Sequence, residues 1–462
     1  MKAVMQYLGY WRDENISLVK SLVSAVFLKA LSLVLVMFVA VLLARRLGPT
    51  EYGRLVYVQS AAFIIASICT LGLRDAANRI VARYVARYQR KLLARFILFG
   101  IVVITVTSCV IVPVVYLILL EVSGTFEAYR FPLITIFGVV VSLALLSFLG
   151  PTLVAMGRPV LSFALENVGP RLPLLVVLLA CMIVGASLTA ETALDLTILG
   201  NIVPAAALAA FIFVPSRLWI GVLKRPYHLI RTGRAWLSIS LFMMTSPVVA
   251  MVFSETSMIV LGAYAEPAAV AFYQVARRVS ELAIVCGAVA IYIALPKIAR
   301  YYTLRRYDEL QHTVDIANIL TIIPSISVTL ILIFGGDKLL LVFGPDFSGA
   351  YAATLILTVG RAADQLVGPA LEILLMTGQQ VTATWINVVY GVLSISLSFA
   401  LIPHYGQIGA AFATVSVGVL WKLNLYLIVR LRCRVEPCLL IALASRGQYA
   451  LCARRTSCDE SV

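Results

Sequence analysis

The chain has 462 residues, 61% of them hydrophobic and 13% charged, with a formal net charge of +15 and a mean hydropathy of +0.99. Soluble domains cannot bury that much apolar surface, so the composition excludes a soluble globular protein and points to lipid. The basic excess does not call for nucleic acid, because it falls on connections that would face an anionic leaflet.

A helix crosses the hydrocarbon with roughly 20 apolar residues. Runs of that kind lie at 20–43, 55–78, 93–120, 131–155, 160–185, 193–214, 236–262, 268–296, 313–335, 349–376, 381–402 and 407–430. The predicted fold class is therefore an all-α polytopic membrane protein with twelve transmembrane helices. Assigning the connections to alternate sides gathers Arg79, Arg83, Arg87, Arg90, Lys91 and Arg95 on one side, together with Arg217, Lys224, Arg225, Lys297, Arg300, Arg305, Arg306, Lys422 and Arg430. The other side receives Arg45, Arg46, Arg54, Arg130 and Lys338. The positive-inside rule then puts both termini in the cytoplasm. No cleavable signal peptide is expected, since Lys20 to Arg45 reads as a full span without a small-residue cleavage site.

The basic connection from Pro215 to Trp236 separates six helices from six. The expected organisation is a cytoplasmic segment over 1–19, a six-helix bundle over 20–214, a cytoplasmic linker over 215–235, a second bundle over 236–431 and a cytoplasmic tail over 432–462. Pro49 and Pro267 each follow a helix end. Gly157 and Gly378 are separated by nearly the same interval as those two prolines. Two landmarks sharing one offset predict a parallel repeat, in which the bundles are related by a pseudo-two-fold axis along the membrane normal. No connection is long enough to be an extramembrane domain of its own. A short apolar stretch in the tail, Cys438 to Ala444, fits the interface better than a span.

Cys69, Cys109, Cys181 and Cys286 lie in apolar runs and read as inert core residues. Cys433, Cys438, Cys452 and Cys458 lack the paired spacing of a zinc site, so no metal is expected, and no cofactor. His228, His312 and His404 are widely separated, and no phosphate-binding loop pattern G-x-x-x-x-G-K-[ST] is present. The chain reads as a non-enzyme.

Five cations sit inside apolar runs: Lys29, Arg171, Arg277, Arg278 and Arg361. At 1.5 Å per residue, Lys29, Arg171, Arg277 and Arg361 lie roughly 14–18 Å deep, near the middle of a ~30 Å core. A charge there costs at least ~2.5–3.5 kcal/mol on insertion scales, so such residues face a cavity or a partner. A purely structural reading pairs Arg171 with Glu166, Arg278 with Glu281 and Arg361 with Asp364. Five cations against Glu281 and Asp364 leave a positive surplus, which favours a cavity for an anionic cargo. The spacing Arg277 to Glu281 allows one ion pair on that helix and leaves a guanidinium free. The planar fork of Arg suits bidentate contact with phosphate, so four arginines among the five favour a diphosphate. Arg277, Arg278 and Arg361 are the principal candidates. Glu281, Asp364 and Glu372 are the carboxylates expected to couple an ion.

The stretch LLARRLGPTEYGRLVYVQSAAFIIASICTLGL, Leu42 to Leu73, resembles the N-terminal signature of the bacterial oligosaccharide/polysaccharide (O-antigen-type) flippases of the multidrug/oligosaccharidyl-lipid/polysaccharide (MOP) exporter superfamily. GPALEILLMTGQQ (Gly368 to Gln380) and YGQIGAAFATVSVGVL (Tyr405 to Leu420) are similar to the same family, and the resemblance covers most of 15–431. It implies two six-helix bundles around a cavity that opens alternately to either side of the bacterial inner membrane. The implied cargo is an undecaprenyl-diphosphate-linked oligosaccharide, moved from the cytoplasmic to the periplasmic leaflet for cell-surface polysaccharide biosynthesis. Implied partners are the lipid-linked oligosaccharide, membrane lipids, a polysaccharide polymerase and a chain-length regulator. Multidrug/cation antiporters and peptidoglycan lipid-precursor flippases of the same superfamily are the alternatives. The chain departs from common members at Arg74-Asp75 after LGL and in its cysteine-bearing tail.

Overall fold

The computed structural model describes residues 2–122, 129, 131–185, 188–213, 227–433 and 435–438. Side chains are described from residue 27 onward, apart from those of 119–122, 182, 227–232, 245–247, 250, 286, 288–289, 292–293 and 296. Most of the connection expected over 215–235, the tail beyond 438, and the side chain of Cys286 lie outside the described residues.

Among the described residues every regular element is helical. In chain order these are α1 (Lys2–Cys69), α2 (Leu73–Ala86), α3 (Arg90–Val122), α4 (Leu133–Ala155), α5 (Pro159–Phe163), α6 (Arg171–Val184), α7 (Ala190–Phe213), α8 (Tyr227–Tyr264), α9 (Pro267–Thr303), α10 (Tyr307–Leu340), α11 (Tyr351–Leu366), α12 (Ala370–Met376) and α13 (Gln380–Cys433). A π-helical turn, Ala164–Val168, joins α5 to α6, and a 3-10 turn, Pro345–Ala350, precedes α11. Among the described residues, seven stretches are long and apolar enough to cross a membrane: Phe27–Cys69, Arg90–Ile118, Leu133–Ala155, Pro159–Cys181, Ala190–Phe213, Tyr307–Leu340 and Gln380–Cys433. On α3, Val102, Val106, Val110 and Val114 are all exposed at four-residue spacing, which suits a surface bathed in hydrocarbon rather than water.

Several expected spans prove to be interrupted, each for a local reason. The run at 55–78 ends at Cys69 and resumes at Leu73, because Leu71 and Gly72 adopt φ of 46° and 73°. Only glycine fits the second position: a Cβ on Gly72 would stand 2.1 Å from the Ser240 carbonyl oxygen. The run at 160–185 passes through the π turn and Pro170. The run at 349–376 breaks at Gly368, where φ is 71° and the following Pro369 disfavours helical backbone. Conversely, α1 and α13 each join two expected spans, interrupted only at Gly48 (φ 71°, ψ 174°) and Gly406 (φ 54°, ψ −131°). Of the cysteines read as core, Cys69 is buried, Cys181 is half-buried and Cys109 is exposed, so only the first fits that reading.

The chain divides into two compact units, Met1–Met251 and Val252–Val462, with the division inside α8. In the first unit α4 is the central helix and packs on α1, α2, α3 and α7. Gly100 lets α3 approach it: a Cβ there would lie 2.3 Å from the Phe148 ring. Trp236 of α8 seals this unit, its indole N–H donating to the Tyr84 hydroxyl at 2.9 Å and its ring meeting Phe96 edge-on at 5.4 Å. In the second unit α9 takes the central place against α10, α11, α12 and α13. Gly287 brings α9 onto α10 and α11, since a Cβ there would reach Thr321 at 2.3 Å and Gln365 at 3.3 Å.

Candidate functional site

Charged side chains within apolar helices occur in both units, and their surroundings are built differently. In the first unit the π turn supplies the scaffold. Gly169 N–H bonds the Ala164 carbonyl at 2.9 Å, five residues back, and Pro170 offers no N–H to the carbonyl four residues before it. The displaced backbone leaves the Asn167 carbonyl as an acceptor for side chains. Ser32 Oγ donates to it from α1 at 3.2 Å, and Arg171 donates from α6 at 3.0 Å. Lys29 stands one turn before Ser32 on α1, is exposed, and makes no ion pair among the described residues. Glu166, on the same turn, binds Arg74 of α2 at 3.3 Å. Gly150 of α4 makes room for this carboxylate, because a Cβ there would lie 2.5 Å from Glu166 Oε2. Glu166 therefore serves Arg74, and its expected pairing with Arg171 is not what forms. Lys29, Arg74 and Arg171 are carried by α1, α2 and α6, and the acids Glu166 and the half-buried Asp75 by the π turn and α2. π turns of this kind recur at functional sites.

In the second unit the charges are matched. Both terminal nitrogens of Arg277 donate to Glu255 Oε1 at 3.1 Å, and Nε lies 3.9 Å from Glu281 Oε1. Arg278 holds the other oxygen of Glu281 at 3.1 Å. The expectation that one of these guanidinium groups stays free is thus corrected, and the residue that corrects it is Glu255, on α8. Its side chain is 9% exposed, as an acid inside an apolar helix must be when it is paired. The criterion that marks the five cations, a charge inside an apolar run, marks Glu255 equally well.

On α11, Arg361 lies 4.0 Å from Asp364. The charges of both Lys422 and Arg361 act on Asp364, whose Oδ1 is buried without a hydrogen-bond partner among the described residues. Lys422, expected near the end of its span, also donates to the Gly368 carbonyl at 3.0 Å. That carbonyl also accepts from Ala370 N–H at 2.9 Å, and Lys422 places a cation at the negative end of α11. Glu372 is half-buried on α12, with Oε2 lacking a partner among the described residues. Among the described residues, Arg277 and Arg278 thus meet Glu255 and Glu281, while Arg361 and Lys422 both act on Asp364.

The chain is helical, with charged groups in apolar helices of both units, and comparison with solved structures shows that its fold is shared with membrane transporters of known structure. A lipid II flippase MurJ in an inward closed conformation superposes with a TM-score of 0.65 at 15% identity, over 89% of this chain and 87% of that one. An inward-facing multidrug resistance transporter of the MATE family matches with a TM-score of 0.65 at 14% identity, over 87% and 94% of the respective chains. A point mutant of the Vibrio cholerae MATE transporter VcmN matches with a TM-score of 0.58 at 17% identity, over 90% and 97%. These neighbours are transporters, not enzymes. No protein-family profile matches the chain, and no curated protein matches it in sequence.

Proposed function

We propose that the protein is a flippase that carries an undecaprenyl-diphosphate-linked oligosaccharide from the cytoplasmic to the periplasmic leaflet of a bacterial inner membrane by alternating access. The observation that carries this reading is the gathering of arginine donors on the π turn of the first unit, where Glu166 holds Arg74 and the Asn167 carbonyl accepts from Arg171. Lys29 and Arg171, joined by Arg74, supply charge and N–H donors for a diphosphate in a region of low dielectric. Arg278 and Arg361, whose side chains are 30% and 32% exposed, each hold a carboxylate along one edge and retain donors for a second acceptor. Together with Arg277 they are the second unit's proposed headgroup contacts. Asp364, with Glu281 and Glu372, is the proposed ion-coupling carboxylate.

Twelve spans in two bundles related by a parallel repeat are part of this reading, and matched turns support it. Gly157 and Gly378, with φ of 88° and 82°, close their helices with the same pair of hydrogen bonds: Gly157 N–H to Val154 and Arg158 N–H to Leu153, then Gly378 N–H to Leu375 and Gln379 N–H to Leu374. Tyr88 and Arg305, at φ of 53° and 56°, form a second such pair that the sequence does not mark. Its interval along the chain is close to that of the first.

The test is transport in proteoliposomes. An undecaprenyl-diphosphate oligosaccharide should cross, and Lys29→Gln with Arg171→Gln should slow it about tenfold or more, the loss expected for removing charge-assisted hydrogen bonds. Unchanged crossing in the double variant would overturn the assignment. A second reading, as a multidrug/cation antiporter, is favoured by Glu255, Glu281, Asp364 and Glu372 in apolar helices of the second unit, and efflux of a cationic dye would select it. Preferential crossing of a peptidoglycan lipid precursor would select the other alternative.

A further inference from the structure

Past the end of α13 the chain stays against the second unit. Val435 is 2% exposed and joins the apolar cluster that includes Leu310, Val314, Ile373 and Val429. The next residue is gripped by a side-chain amide: Glu436 N–H donates to Gln311 Oε1 and Gln311 Nε2 donates to the Glu436 carbonyl, each at 2.8 Å. Asp315 Oδ1 accepts from the same Nε2 at 2.8 Å, which fixes the orientation of that amide. Pro437 has only a carbonyl to satisfy, and Asn318 Nδ2 donates to it at 2.8 Å. Gln311, Asp315 and Asn318 stand at i, i+4 and i+7, so a single face of α10 holds this segment. From α13, Arg430 reaches Glu436 Oε2 at 3.2 Å and also donates to the Tyr426 hydroxyl at 3.1 Å.

The same segment bears on the break between α11 and α12. A Cβ on Gly368 would lie 2.5 Å from the Pro437 carbonyl oxygen and 2.3 Å from Asn318 Oδ1. Gly368 is held on its other side by Lys422 Nζ. The segment 435–437 thus touches α10, the end of α13 and the break between α11 and α12.

We propose that Val435–Pro437 is a clasp that sets the mobility of the α11–α12 hinge. Docked, it holds α12 against α10 through Pro437 and Gly368. Released, it frees Gly368 to change its backbone angles, and α12 swings about that point. Backbone groups read by three side chains of one helix face, with one valine as the apolar anchor, make a contact that can let go and return. Burial of a long apolar tail would be effectively permanent.

The proposal concerns how the second unit moves, whatever cargo the protein carries, and its test needs no substrate. Amide hydrogen exchange is followed by mass spectrometry on the full chain in lipid nanodiscs. Gln311→Met keeps the side-chain length and removes both contacts to Glu436, and Asn318→Ala removes the contact to Pro437. Each should accelerate exchange over 366–378 by about tenfold, from the loss of one or two hydrogen bonds, with α4 unchanged. Arg430→Gln, at a largely exposed side chain that leaves the core intact, should produce a smaller acceleration confined to the same stretch. Unchanged exchange over 366–378 in all three variants overturns the proposal. If Gln311→Met and Asn318→Ala accelerate α4 and α9 equally, Arg430→Gln decides: a confined acceleration supports the clasp, and none overturns it.

Discussion

The charge groups of the two units begin from similar ingredients, arginines in apolar helices, and end in different states. In the first unit the charges gather on a distorted turn, where one acceptor is a backbone carbonyl. In the second unit Arg277 and Arg278 share Glu255 and Glu281, and each embedded cation has an acid to answer it. A cation matched to a carboxylate is neutralised before any cargo arrives. An anionic headgroup would have to displace that carboxylate, whereas at the π turn Arg171 donates to a backbone carbonyl, which carries no formal charge. The difference moves the weight of the proposed headgroup site from Arg277, Arg278 and Arg361 towards Lys29, Arg74 and Arg171, and gives the second unit a network suited to holding its helices and coupling an ion.

The largest expected effect probes that network. Glu255→Leu takes both hydrogen-bonded contacts from a guanidinium whose side chain is 17% exposed and leaves it only the longer approach to Glu281, which Arg278 also holds; breaking a buried pair from one side costs about 3–5 kcal/mol. Denaturation in detergent should show this loss, and Glu255→Leu with Arg277→Met should recover most of it. A single-variant cost under about 1 kcal/mol would remove the contrast between the units. Next comes function. Lys29→Gln with Arg171→Gln should lower flipping of the diphosphate lipid by about 10–100-fold, with a smaller loss of stability than Glu255→Leu, while Arg361→Gln should lower it by about threefold or less. Equal losses in both would mean that the two groups serve the headgroup alike.

A third, smaller effect lies at Gly150. Its Cβ would crowd the far end of the Glu166 side chain, which can move aside, so Gly150→Ala should cost no more than about 1 kcal/mol. It should nevertheless slow transport severalfold by shifting the partner of Arg74. Smallest are Gly157→Ala and Gly378→Ala. Both glycines have left-handed backbone and open space around the added methyl, so each should cost about 1–2 kcal/mol from backbone strain alone. Equal melting shifts are expected in the two units; a large inequality would argue against the matched turns.

Much of the architecture was legible because membrane helices announce themselves by apolar length, and Pro49, Pro267, Gly157 and Gly378 mark real helix ends. The breaks at Leu71–Gly72 and at Gly368 were hidden inside continuous apolar runs, since each depends on a neighbour approaching the glycine: Ser240 in one case, Asn318 and Pro437 in the other. The five cations were legible as anomalies, but their partners were not. Arg74 reaches Glu166 across 92 positions, and Ser32 reaches Asn167 across 135. Contacts at that separation leave no local pattern. Lys422 looked like an ordinary residue near a helix end, and only the interruption of α11 gives it a carbonyl to hold. Glu255 is the exception, since its position inside an apolar run was itself the signal.

Equilibrium binding of an undecaprenyl-diphosphate ligand to the purified protein tests the central claim most directly, with Lys29→Gln/Arg171→Gln and Arg278→Gln compared at one ionic strength. The account predicts at least about a tenfold loss of affinity for the first and less than about threefold for the second, near the difference between removing charge-assisted contacts and removing a cation already paired. Equal losses, or a larger loss for Arg278→Gln, would contradict it.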